Sequence, residues 1–330
     1  MSGLENHWHR ITPLHLILFP VSLLFRLLVA LRHALYRSGI LPSHKLSVPV
    51  IVIGNISVGG TGKTPLTLAL AQQLVRHGSH PLIVSRGYGG AAQQPQRVDA
   101  NSDARQVGDE PLLMARRNLC PVWVGKDRAA AAKTAMQAHP QCDVVLCDDG
   151  LQHYRLQRDV EVAIVDGARG FGNGFMLPAG PLREPVSRLQ AVDAVVMNDG
   201  KTSAGQYVMR LSGETFFNLL DPGKTATADY FQTLSNHAVA GIGHPRRFFN
   251  HLQALGISFT PHAFPDHHPY IETDLAFTGC DAILLTEKDA VKCAAFADAR
   301  YWVLRVDAQI DSKLIDHILR KITPHGRKTA

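Results

Sequence analysis

The longest apolar stretch of the chain comes near its start. Residues 11–35 read ITPLHLILFPVSLLFRLLVALRHAL, and three features argue against a plain spanning helix. Pro20 predicts a break or kink, because proline has no N–H to donate and its ring crowds the preceding turn. Arg26 would put a charge among lipid tails. The uninterrupted apolar run is shorter than the ~20 residues a span needs. No small-residue cleavage site follows; Arg32, His33 and Arg37 come instead, which argues against a removable signal. The expectation is a helix lying in a membrane interface, with Arg26, Arg32 and Arg37 near headgroups. The alternative is a helix packed on the rest of the chain.

From residue 46 the pattern changes. Residues 47–55 form a short β-branched run ending in turn residues, as a buried parallel strand does. A glycine-rich loop leads into residues 63–77, where Leu66, Leu70, Leu74 and Val75 recur at helical spacing and Gly78 closes the helix. Further strands are predicted over residues 81–85, 121–125, 143–147, 161–165 and 191–197. The alternation of strand and non-strand predicts an α/β fold of P-loop NTPase type, its mostly parallel sheet covered by helices on both faces. Residues 206–221 suggest two short strands about Ser212-Gly213, followed by a polar linker. A smaller α/β unit follows, with strands over 238–242, 258–263, 282–286 and 301–306 and helices over 246–255 and 312–322. The expected division is a membrane-associated segment (1–40), a P-loop core (41–205), a hairpin and linker (206–235) and a C-terminal α/β unit (236–330).

The chain has 330 residues, 45% hydrophobic and 19% charged, which suits a globular chain rather than a disordered one. The net charge of +6 favours an anionic partner. Five cysteines without a C-x-x-C spacing suggest neither a disulfide framework nor a zinc site, and the chain reads as facing a reducing cytoplasm.

The strongest chemical signal is Ser57-Val58-Gly59-Gly60-Thr61-Gly62-Lys63-Thr64, set between a strand and a helix. Backbone N–H groups of Gly59, Gly60, Thr61 and Gly62 would cradle phosphates at the helix N-terminus. Lys63 would reach the β- and γ-phosphates of ATP, and the Thr64 hydroxyl would bind Mg²⁺. Ser57 departs from the general motif, whose first glycine it replaces. An apolar strand ending in Asp148-Asp149-Gly150 supplies what a Walker B segment needs, a carboxylate beside the loop to hold the metal. Gln152 and His153 would point into the same cleft. Asp109, in Gly108-Asp109-Glu110-Pro111, is either a helix cap or a base for a substrate hydroxyl. Asp266-His267-His268 is either a surface turn or a metal site lacking further spaced ligands. The segment Thr286–Lys292 follows a strand end and is expected to contribute to nucleotide binding.

Together these runs resemble the tetraacyldisaccharide 4′-kinase family of lipid A biosynthesis. The resemblance is carried by residues 54–65, 85–89, 108–111, 125–128, 148–153, 181–185, 266–268 and 286–292, in order over most of the chain. It implies transfer of the γ-phosphate of ATP to the 4′-hydroxyl of a lipid-anchored glucosamine disaccharide at the cytoplasmic face of the inner membrane. It implies that Asp109 acts as base or hydroxyl orienter, paired with His267 rather than His268 by position in the motif. Lys63 would hold phosphates, and Thr64, Asp148 and Glu184 would serve Mg²⁺. Asp149, Arg128, Gln152, His153 and Arg183 would line the site. No nucleic-acid partner is expected, and the chain reads as a monomer docked by its N-terminal helix. The competing reading is a membrane-recruited P-loop switch ATPase, but Val58 stands where that class has its signature lysine.

Overall fold

A computed structural model describes residue 8, residues 12–200 and residues 202–323. The remainder of the segments expected at the two termini, residues 1–7, 9–11 and 324–330, lies outside the described residues. Helix α1 (Leu14–Arg37) continues through Pro20 without a break. Pro20 falls within the first two turns, so only one backbone bond near the helix start is lost. The helix from Ile17 to Arg37 is long and apolar enough to cross a membrane by length and composition.

The first sheet contains β1 (Val50–Gly54), β2 (Pro81–Ser85), β3 (Gln96–Val98), β4 (Val122–Val124), β5 (Val144–Cys147), β6 (Val160–Asp166), β7 (Ala194–Asn198) and β8 (Gln206–Ser212). Its helices are α2 (Lys63–Arg76), the short α3 (Ala104–Val107), α4 (Asp109–Arg116) and α5 (Arg128–Ala138). The second sheet contains β9 (Phe216–Asn218), β10 (Thr225–Ala226), β11 (Asn236–Ala240), β12 (Thr260–Ala263), β13 (Ala282–Thr286) and β14 (Tyr301–Leu304), with α6 (Pro245–Ala254) and α7 (Glu287–Cys293). The chain then adds β15 (Asp307–Ile310) and α8 (Ser312–Ile322) to the first unit.

Strand order in the first sheet is β15-β8-β7-β6-β1-β5-β2-β4-β3, antiparallel only at its two edges. β1 lies between β5 and β6 and is buried along its whole length. Chain connections therefore diverge on either side of β1, and the crevice beyond such a strand is where open α/β sheets bind ligands. The second sheet, β10-β9-β14-β13-β11-β12, is parallel from β14 to β12.

Two expectations are corrected here. The strands flanking Ser212-Gly213 do not form a hairpin: β8 completes the first sheet and β9 begins the second. The C-terminal segment does not remain with the second unit, because β15 pairs with β8, and Leu314, Ile315 and Ile318 of α8 enter the first core. Two connections therefore run side by side between the units, tied by the Arg305 N–H donating to the Thr215 carbonyl (3.0 Å). A β-carbon on Gly213 would lie 2.2 Å from the Arg305 carbonyl oxygen, which explains a glycine at that crossing. Since α8 closes the core, Ile318→Ala should cost about 2–5 kcal/mol. A denaturant titration showing less than 1 kcal/mol would mean that α8 is dispensable to the fold.

Candidate active site

The loop after β1 and the first turn of α2 form the floor of the crevice. Gly62 has φ +99°, and a β-carbon there would come within 2.6 Å of the Asn198 amide nitrogen. Only glycine meets both demands. Asn198 donates to the Thr61 carbonyl (2.9 Å), and Asn55 donates to the Thr61 hydroxyl (3.0 Å). Ser57 forms an antiparallel bridge with Leu182 in extended backbone, and Val58 N–H donates to the Pro181 carbonyl. The missing first glycine is thus replaced by an extended segment paired with the loop that carries Arg183 and Glu184. With Gly62 as its N-cap and no acidic residue in its first turn, α2 presents its positive end to the crevice. Lys63 and Thr64 occupy that turn.

Asp148 and Asp149 emerge from β5 beside this loop. Asp148 is fully buried, with hydroxyl donors at Thr67 (3.0 Å) and Ser85 (3.4 Å). Burial, then the negative charges of Glu110 and Asp149, push its carboxyl up to about 7 despite Lys63. A carboxylate this short of cationic partners is suited to a bound cation. Asp149 has φ +48°, an uncommon conformation outside glycine that aspartate tolerates better than most residues. Burial raises its pKa, but Lys63 (3.6 Å), Arg183 (3.5 Å) and Arg128 outweigh that and hold it below the ordinary value.

Arg128 is buried at the start of α5. It donates to the Asp149 carbonyl (2.9 Å) and contacts His153 Nδ1 at 3.3 Å. Burial, reinforced by the Arg128 charge, lowers His153 to about 4, so its ring is neutral near pH 7. Gln152 donates to the Asn55 carbonyl (3.0 Å) and to Glu184 (2.9 Å), and Tyr154 donates to the other Glu184 oxygen. Each carboxylate oxygen has a second acceptor site, so Glu184 keeps ligating capacity.

Asp109, which opens α4, is brought against His267 from the second unit, with Nδ1 and Oδ2 2.9 Å apart. Burial raises Asp109, but the His267 hydrogen bond and the Lys288 charge outweigh it and hold the carboxyl below its usual range. His267 has φ +60°, a second non-glycine residue of this crevice in the left-handed region. His268 is turned away and pairs with Asp274 at 2.9 Å.

Three sets of contacts went unread in the sequence. Lys288 bridges Glu110, Asp266 and His267. Asp166, at the end of β6, binds Arg169 and Arg247 (both 3.2 Å), while Arg169 donates to the Gly60 carbonyl (2.8 Å). Arg117 joins α4 to Glu287 of α7 at 2.7 Å. A carboxylate ending a parallel strand beside β1 was the available signal for Asp166. The arginines act across elements distant in sequence and had none; Lys288 lies in the 286–292 segment expected to contribute to nucleotide binding, but its partners on α4 and beside His267 were not legible.

A parallel sheet, a glycine-rich loop on a helix N-terminus, an aspartate-ended neighbouring strand and a carboxylate–histidine pair across two units define a P-loop phosphotransferase. The family model described as tetraacyldisaccharide-1-P 4′-kinase matches residues 14–323. The chain belongs to this family, and it is an ATP-dependent kinase of lipid A biosynthesis. It is 49% identical to the tetraacyldisaccharide 4′-kinase of Methylobacillus flagellatus over 97% of this chain and 96% of that protein. It is 50% identical to the tetraacyldisaccharide 4′-kinase of Azoarcus sp. strain BH72 over 100% of this chain and 98% of that protein. The LpxK crystal structure from Aquifex aeolicus, determined in complex with ATP, superposes with a TM-score of 0.79 at 29% identity. The match covers 94% of this chain and 99% of that one.

Proposed function

We propose that Asp109 takes the proton of the acceptor hydroxyl while Lys63 and the 59–62 backbone hold the γ-phosphate of ATP in line with it. The acceptor is the 4′-hydroxyl of a tetraacylated glucosamine disaccharide 1-phosphate. The observation that carries this reading is the 2.9 Å contact between Asp109 and His267. It places an ionised carboxylate, oriented by an imidazole, in the crevice that the glycine-rich loop opens into. Because the two residues belong to different units, the pair is complete only when the units are together, which excludes water from the transfer.

Arg128 and Arg183 flank Asp149 and add positive charge where phosphoryl oxygens develop charge. Asp149 and Gln152 fix the approach of Lys63 and Glu184, and the neutral His153 supports Arg128. The hard oxygen donors of Thr64, Asp148 and Glu184 fit Mg²⁺, which supplies charge neutralisation on the β- and γ-phosphates when bound.

Helix α1 brings this crevice to the lipid. Ser22 donates to the Met176 carbonyl (2.9 Å), and Phe25 and Val29 pack on Ile56, Met176 and Leu182. Ile17, Leu24, Leu27, Leu28 and Leu31 are each at least half exposed. An apolar surface of this kind, with Arg26, Arg32 and Arg37 exposed along it, suits a monomer seated on the cytoplasmic face of the inner membrane.

The test is transfer of label from γ-labelled ATP into the detergent-dispersed tetraacyldisaccharide 1-phosphate. ATP hydrolysis indifferent to the lipid would favour a switch ATPase. Leu27→Glu with Leu28→Glu should release the protein from anionic vesicles in a flotation assay by about tenfold or more. Unchanged flotation would remove α1 as the docking element.

A further inference from the structure

Lys288 sits on the first turn of α7, and its side chain is only 17% exposed. Its ammonium lies 3.2 Å from Glu110 Oε1, 3.1 Å from Asp266 Oδ1 and 3.3 Å from His267 Nε2. An ammonium can only donate. Its approach to Nε2 therefore requires an unprotonated Nε2, and the ring's one proton sits on Nδ1, facing Asp109 Oδ2 at 2.9 Å. Burial works against the Lys288 charge, but Glu110, Asp266 and Asp109 outweigh it and keep it protonated.

The elements around Lys288 are cross-linked by ion pairs. α4 carries Asp109 and Glu110 at one end and Arg117 at the other. Arg117 binds Glu287, the residue preceding Lys288, at 2.7 Å, and also donates to the Val306 carbonyl at 2.7 Å. Glu287 and Lys288 thus fasten opposite ends of α4 to the second unit. Lys288 alone of the two also touches the imidazole that faces Asp109.

We infer that Lys288 is a positioning residue for phosphoryl transfer: anchored by Glu110 and Asp266, it holds His267 in the neutral tautomer whose Nδ1–H orients Asp109. This rests on the reading of Asp109 and His267 as the proton-accepting pair. A doubly protonated His267 would donate to Asp109 as a cation and make the carboxylate a weaker base. The Lys288 ammonium opposes that state.

The groups facing His267 are Asp109 from α4, Lys288 from α7, Asp266 from its own loop (3.8 Å from Nε2) and the Tyr88 ring from the loop after β2 (5.3 Å between centroids). The Asp109 hydrogen bond raises His267 above its ordinary value, while burial and then Lys288 pull it down. Removing Lys288 deletes a lowering influence, so His267 should protonate at a higher pH. Activity that requires the neutral ring is present above the His267 pKa and lost as pH falls through it, so the acid limb should move upward.

The experiment is the pH profile of kcat for the full-length enzyme in mixed micelles, comparing wild type, Lys288→Met, Lys288→Arg and His267→Ala, with melting curves for each. Lys288→Met should lower kcat by about tenfold, keep KM for ATP within about twofold and shift the acid limb to higher pH. Lys288→Arg, which preserves a buried cation, should return the limb toward its wild-type position. In the His267→Ala background the Lys288→Met effect should shrink, since the two act through one ring. A Lys288→Met enzyme with wild-type kcat and limb would overturn the inference. So would a loss that tracks melting temperature without a limb shift. If Lys288→Met fails to fold, the limbs of Lys288→Arg and Lys288→Gln decide the same point. His267→Ala with near-wild-type kcat would instead overturn the Asp109–His267 reading itself.

Discussion

Replacing Asp109 by alanine is expected to lower kcat by about 10³-fold while the KM for ATP stays within about twofold. The carboxylate is buried against His267, in the crevice proposed to receive the acceptor hydroxyl, and its depressed pKa keeps it ionised at neutral pH. A depressed pKa makes a weak base in equilibrium, so its value lies in position: it accepts a proton that becomes acidic as the phosphoryl bond forms. Nothing in the described structure ties Asp109 to the nucleotide loop, and binding of ATP should therefore survive. The measurement is labelled transfer to the lipid acceptor, with nucleotide affinity taken separately by titration. A matching fall in ATP affinity would indicate that the substitution had disturbed α4 rather than removed a base. Retention of more than a tenth of the activity would move the base elsewhere, with Asp149 the next carboxylate in the crevice.

Lys63→Met should cost about 10²–10³ in kcat and also weaken ATP binding. The side chain is 12% exposed and its ammonium lies 3.6 Å from Asp149. Methionine keeps the length and the apolar stem, so α2 should fold unchanged. On the proposed reading, what is lost is a charge beside the γ-phosphate as it acquires charge during transfer. Asp149 then loses the first of the three cations that outweigh its burial. Its pKa should rise, adding a second and smaller effect that a Lys63→Met, Asp149→Asn double variant would separate. An unchanged kcat with raised KM would reduce Lys63 to ground-state binding.

Much of this was legible along the chain because it is local. β2 and β13 fall at the predicted residues, and the glycine-rich loop, α2 and the aspartates after β5 each depend on neighbours within a few positions. A buried parallel strand needs a continuous apolar run, and a phosphate loop needs glycines at a helix start; both demands are written in consecutive residues. The helix through Pro20 was misread because one missing donor near a helix start costs less than the rule for helix interiors implies. β15 was unreadable from four residues holding two apolar positions; pairing with β8 decides it. The supposed hairpin at Ser212-Gly213 failed for a related reason, since which sheet a short strand joins depends on edges formed by residues far away.

The sequence by itself determined the central parallel strands of the first sheet, the nucleotide loop and the family to which the chain belongs, but not the placement of the outer strands β3, β8 and β15. The family resemblance implied that Asp109 pairs with His267, 158 positions away; tertiary structure supplied the 2.9 Å contact and alone decided that Lys288 reaches the same imidazole from its other side. It also decided that the chain crosses between its two units twice. Contacts of that kind are set by how two cores pack and by the approach of charged groups in a buried crevice, and no spacing of residues along a chain encodes them.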